Sequence, residues 1–213
     1  MGQFLRLAAC GLVFAFLTWA QPSQNDSVRP RIGVYLDFER IPATVPLQVM
    51  QRAVEDLLTP AGVFVVWRSA GQNSGTEAFS ALAVVRFKGG CAVKSPVPAS
   101  NFGTLGETTA LASTRVSGGR VLPYTEVECG EVGKALAYIR PGAGLAEREK
   151  AFGTALGRVV AHELYHILAN RVEHAAEGLA QASELLSDLV SSRKLSFDES
   201  AARAIRNRFQ ARK

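Results

Sequence analysis

His162-Glu163-Leu164-Tyr165-His166, with His174 eight residues further on, holds all three histidines of the 213-residue chain. Residues four apart on an α-helix share a face, about 6 Å apart at their β-carbons. Two imidazoles so placed can point at one metal ion, and Glu163, one residue on, can reach a metal-bound water without becoming a ligand. A zinc site needs at least one more protein ligand, and His174 is the only other histidine. The pattern around the motif is helical from residue 145 to residue 169. Asn170 follows, a residue type second only to glycine at left-handed helix ends. A helix that stops there lets the chain turn and bring His174 back to the metal. The result is three histidines and a water, the open coordination of a reactive site. Glu163 is then the base that takes a proton from a water whose pKa the metal lowers towards 7. Other third ligands stay open: Glu173 and Glu177 in the same turn region, and Glu184 and Asp188 on the helical stretch beyond it.

Outward from this helix, residues 31–39 alternate as a strand does. Residues 46–58 place Leu47, Met50, Val54, Leu57 and Leu58 at helical spacing, with a stop at 59–62. Residues 63–68 and 79–87 are two further strands around a polar, glycine-rich loop at 69–78. The stretch 89–109 is rich in Gly, Pro and Ser and has no clear period. Strands at 109–116 and 120–128 flank Ser117-Gly118-Gly119, a hairpin signal. Pro123 demotes the second of them to an edge or bulged strand. Residues 141–144 are a break before the long helix. The fold class expected is α+β: a mixed, mostly parallel twisted sheet with an antiparallel edge strand, a covering helix and the long motif-bearing helix.

Residues 1–20 read as a secretory signal peptide, with Arg6 in a positive n-region, an apolar run from Leu7 to Trp19 and cleavage near Ala20. The apolar run is short for a membrane-spanning helix, so no stable membrane insertion is expected of the exported chain, whether its destination is periplasmic or fully secreted. Residues 21–213 form one domain with a core of its own. Two of the three cysteines, Cys91 and Cys129, fall in that domain, and an oxidising compartment would let them pair. Closing that loop contributes about 4 kcal/mol by chain entropy. The net charge of +5 is concentrated in the tail from about residue 193 to 213, with seven basic and two acidic residues. Ile205 and Phe209, one turn apart, make this tail an amphipathic helix docked by its apolar face. No basic–aromatic pattern elsewhere suggests a nucleic-acid partner.

The segment HELYHILANRVEHAAEGLAQA resembles the extended zinc signature of metzincin-type metalloproteases. It is more similar to a bacterial variant reading H-E-L-G-H-x-x-x-G-x-x-x-H-S-x-x-G-I-M. His162, Glu163, His166 and His174 match that pattern, and Gly178 matches its late glycine. Asn170 stands at the earlier glycine, Leu179 at the isoleucine, and Ala180 at the methionine that packs beneath the metal. The resemblance covers about twenty residues. It implies a zinc peptidase with a metzincin-like fold, zinc held by His162, His166 and His174, and Glu163 as general base. It further implies an extended peptide or protein substrate paired with an edge strand, for which 120–128 or the strand before it is the candidate. Tyr124 and Tyr165 are candidate oxyanion donors. Ala180 keeps a second reading open, a zinc-binding protein with a binding or envelope role, and the metal chemistry equally suits a non-peptide amide.

Overall fold

The computed structural model describes residues 29–71, 75–93, 110–139, 142–181, 188–189, 191 and 195–210, so the 1–20 segment and Glu184 lie outside the described residues. Its elements are β1 (Arg31–Phe38), α1 (Thr44–Leu58), a 3-10 turn (Thr59–Ala61), β2 (Phe64–Ser69), β3 (Ala81–Lys88), β4 (Ala112–Ser117), β5 (Arg120–Glu128), α2 (Cys129–Ile139), α3 (Leu145–Ala169) and α4 (Glu199–Gln210). The strands form one sheet in the order β2-β1-β3-β5-β4. All neighbours are parallel except β4, which runs antiparallel to β5. The protein is therefore α+β, with a mixed, mostly parallel five-stranded sheet.

Strand periodicity sorts the two faces of the sheet. Ile32, Val34 and Leu36 of β1, Ala83, Val85 and Phe87 of β3, and Thr125 and Val127 of β5 point to the helices and are buried. The residues between them carry a cross-strand charge ladder: Arg86 meets Asp37 at 3.4 Å, Lys88 meets Glu128 at 3.4 Å, and Arg115 meets Glu126 at 2.6 Å. On the helical side, α1 buries Pro46, Met50, Val54 and Leu58, one residue per turn. It lies against α3 at Gly153 and Gly157, where an added Cβ would stand 2.6 Å from the Pro46 carbonyl oxygen and 2.6 Å from the Ala53 methyl. Glycines one turn apart let the two helices approach to backbone contact.

Residues 120–128, expected as an edge or bulged strand, are not an edge: they lie inside the sheet, with β4 at the edge beyond them and an irregular β4–β5 pairing. Pro123 is accommodated because β3 pairs with β5 only from Tyr124 onward, while the β4 side is bulged between Thr114 and Val116. Helix α2 was not legible, since Gly130 and Gly133 mask its pattern. The basic tail becomes helical at Glu199, where Asp198 caps it by accepting from the Ala201 amide at 2.7 Å. Ile205 is buried, and Arg206 and Arg208 donate to the carbonyls of Pro60 and Ile167. Cys91 and Cys129 form a disulfide with Cα atoms 4.8 Å apart. The parallel pairing of Lys88 with Glu128 brings the ends of β3 and β5 side by side, just before the two cysteines.

Candidate metal centre

Helix α3 reaches the site as a buried rod: sixteen of its last eighteen residues are buried, and only Thr154 and His162 are half-buried. It ends at Asn170, whose φ of 53° is left-handed, with its amide donating to the His166 carbonyl. The turn that follows brings His174 back over the helix. The rings of His162, His166 and His174 form a triangle, with centroids 5.1, 5.3 and 4.7 Å apart. One nitrogen from each ring lies within 4.8 Å of the others, so this group could hold a metal ion.

Each helical histidine is oriented by a backbone carbonyl. His162 Nδ1 lies 2.7 Å from the Leu179 oxygen, and His166 Nδ1 lies 2.8 Å from the Arg171 oxygen. A carbonyl only accepts, so both Nδ1 atoms carry the proton and both Nε2 atoms present a lone pair. The two Nε2 atoms stand 3.3 Å apart. Lone pairs facing at that distance repel unless a cation lies between them. Two nitrogens bound tetrahedrally at zinc distances of about 2.0–2.1 Å stand about 3.3 Å apart. The donor set therefore suits, in type and in spacing, a metal ion that binds nitrogen at such distances. Burial lowers the pKa of His162 and of His174, and neighbouring imidazoles push in the same direction. Both shifts favour the neutral form, which is the form that ligates.

The Leu179 carbonyl is itself held. Gly178 has a φ of 74° and bridges antiparallel to Phe197, the Leu179 amide donates to the Ser196 oxygen at 3.0 Å, and the Ala175 amide donates to the Ala180 oxygen at 2.8 Å. A Cβ on Gly178 would lie 2.6 Å from the Ser196 oxygen. Leu179 and Ala180 are fully buried in this loop.

Glu163 is 7% exposed. Its Oε2 accepts from the Thr114 hydroxyl of β4 at 2.6 Å and lies 3.4 Å from the Thr125 hydroxyl of β5. Thr114 and Thr125 are register partners, which sets both hydroxyls at one level of the sheet. Burial raises the Glu163 carboxyl above the ordinary range, against the opposing pull of the Thr114 hydrogen bond and the nearby imidazoles.

Glu173, Glu177 and Asp188 are not part of the histidine group among the described residues. Tyr165 is buried against His166 and Phe197, and its hydroxyl donates to the Glu173 carbonyl at 3.4 Å. Tyr124 alternates with Thr125 and so faces away from the helices, donating to Glu126 at 3.3 Å. Tyr124 therefore lies on the sheet face opposite the histidines, and the Tyr165 hydroxyl is engaged by a backbone carbonyl. Thr114, Thr125 and the two orienting carbonyls carry no sequence signal of their own, because strand register and loop path bring them in. No protein-family model matches this chain, and no curated protein is similar enough to count as a relative.

Proposed function

We propose that the protein is a zinc-dependent hydrolase that cleaves peptide bonds, with His162, His166 and His174 as ligands and Glu163 as general base. The observation that carries this reading is the 3.3 Å separation of two Nε2 atoms whose Nδ1 atoms are already committed to carbonyls. When bound, zinc supplies a Lewis acid that makes a water nucleophilic near neutral pH and polarises the scissile carbonyl. Glu163 takes the proton from the attacking water at Oε1, since Oε2 is engaged by Thr114. It then hands that proton to the departing amine nitrogen, so the carboxylate begins and ends ionised. The arrangement of a mixed sheet, an antiparallel edge strand and a long motif-bearing helix supports a metzincin-like fold. Strand β4, an edge strand among the described residues and the one that touches Glu163, is the candidate for pairing with an extended substrate.

Export fits the same reading. The Cys91–Cys129 disulfide suits an oxidising compartment, and residues 1–20 have the composition of a cleaved signal peptide. No helix among the described residues is long and apolar enough to cross a membrane. Ala180, buried in the loop beside the ligands, supports a second reading, a zinc-binding protein of this fold without catalysis. Substitution of Glu163 by Gln separates the two: a zinc-loaded parent that cleaves peptides beside a silent variant supports the peptidase, and a silent parent that holds zinc supports the second reading.

A further inference from the structure

We infer that Thr114 is a positioning residue for the base, clamping Glu163 so that one carboxylate oxygen is fixed and the other faces the reacting water. This rests on the hydrolase reading above. The Thr114 hydroxyl has two acceptors in reach, Glu163 Oε2 at 2.6 Å and the Glu163 carbonyl oxygen at 3.4 Å, and the shorter contact takes its proton. Thr125 plays the lesser part. Its hydroxyl lies 3.0 Å from the Ser113 carbonyl and 3.4 Å from Oε2, so its proton goes to the backbone. Among the described residues, hydroxyl contacts to the Glu163 carboxylate reach only Oε2. A carboxylate held at one oxygen loses rotation about its terminal torsion, and the other oxygen keeps its lone pairs for the water. Because Thr114 belongs to the edge strand, the clamp joins that strand directly to the base on α3.

The test compares the parent with Thr114→Val, which keeps the shape and removes the hydroxyl, and with Thr114→Ser, which restores it. Zinc content is measured on each, followed by peptide-cleavage kinetics and by affinity for acetohydroxamic acid, a chelator whose acidic proton a correctly placed carboxylate receives. Thr114→Val should keep its zinc, lose roughly 10- to 100-fold in kcat with KM little changed, and bind the hydroxamate more weakly by a similar factor. Thr114→Ser should recover most of both. Wild-type kcat and hydroxamate affinity in Thr114→Val, or a serine variant as impaired as the valine one, would overturn the clamp. If Thr114→Val fails to fold, Thr114→Ala against Thr114→Ser gives the same contrast. A parent that cleaves nothing removes the peptidase reading alone, because hydroxamate affinity still decides the clamp.

Discussion

The two halves of α3 solve opposite problems. The first half, around Gly153 and Gly157, has no side chain where it meets α1 and is defined by closeness: an added methyl has nowhere to go. The second half carries His162, Glu163 and His166, each with a polar partner brought from elsewhere in the fold. The glycine half fixes where the helix lies, and the polar half fixes how its side chains point. A long rigid helix can hold a metal centre because its position is settled one and two turns away from the chemistry.

The glycine half is the more fragile. In Gly157→Val, a Cβ 2.6 Å from Ala53 and 2.9 Å from the Met50 carbonyl oxygen forces α1 and α3 apart. The expected loss is about 3 kcal/mol of stability, the upper end of overpacking costs, read by urea denaturation. A variant as stable as the parent would show that the helices are not locked there. Gly178→Ala comes next. Its positive φ and the Ser196 oxygen leave no room for the methyl, costing roughly 1–3 kcal/mol. Displacement of the Leu179 carbonyl should also weaken zinc affinity by about 10- to 100-fold, measured by chelator competition. Unchanged zinc affinity would separate that loop from the ligands. Asn170→Ala should cost about 1 kcal/mol for its left-handed backbone, while Asn170→Gly stays near the parent.

The smallest effect is a pH dependence of the metal-free protein. His162 and His174 have folded pKa values lowered from 6.5 by burial, so the native state binds fewer protons than the unfolded one. Their contribution to stability is present above about pH 6.5 and is lost as pH falls through the folded values. Glu163 acts in the opposite sense. Its raised value gives stability present below 4.5 and lost as pH rises. Thermal midpoints in chelator should therefore fall between pH 7 and pH 5 less steeply in His162→Gln than in the parent, and parallel profiles would contradict this.

The polar half of α3 was legible in the chain because its chemistry is local: His162, Glu163 and His166 are fixed by helical spacing, and Asn170 announces the stop. The strand order could not be read as well. Pro123 marked β5 as irregular, yet whether it lies inside the sheet depends on where β3 begins to pair, which no local pattern encodes. Thr114 and Thr125 look like ordinary strand residues, and their meeting at Glu163 follows from register. The orienting groups on His162 and His166 are backbone carbonyls, which every residue has. Gly153 and Gly157 show their one-turn spacing in sequence, but only the neighbour at 2.6 Å tells a packing glycine from an incidental one.

The most direct test of the account is digestion of a diverse peptide library by the zinc-loaded protein beside Glu163→Gln, with metal content measured on both. The account predicts one zinc per chain in each, cleavage by the parent, and at least about a 100-fold loss in the variant. Equal cleavage by both proteins, or silence from a parent that holds its zinc, would contradict it.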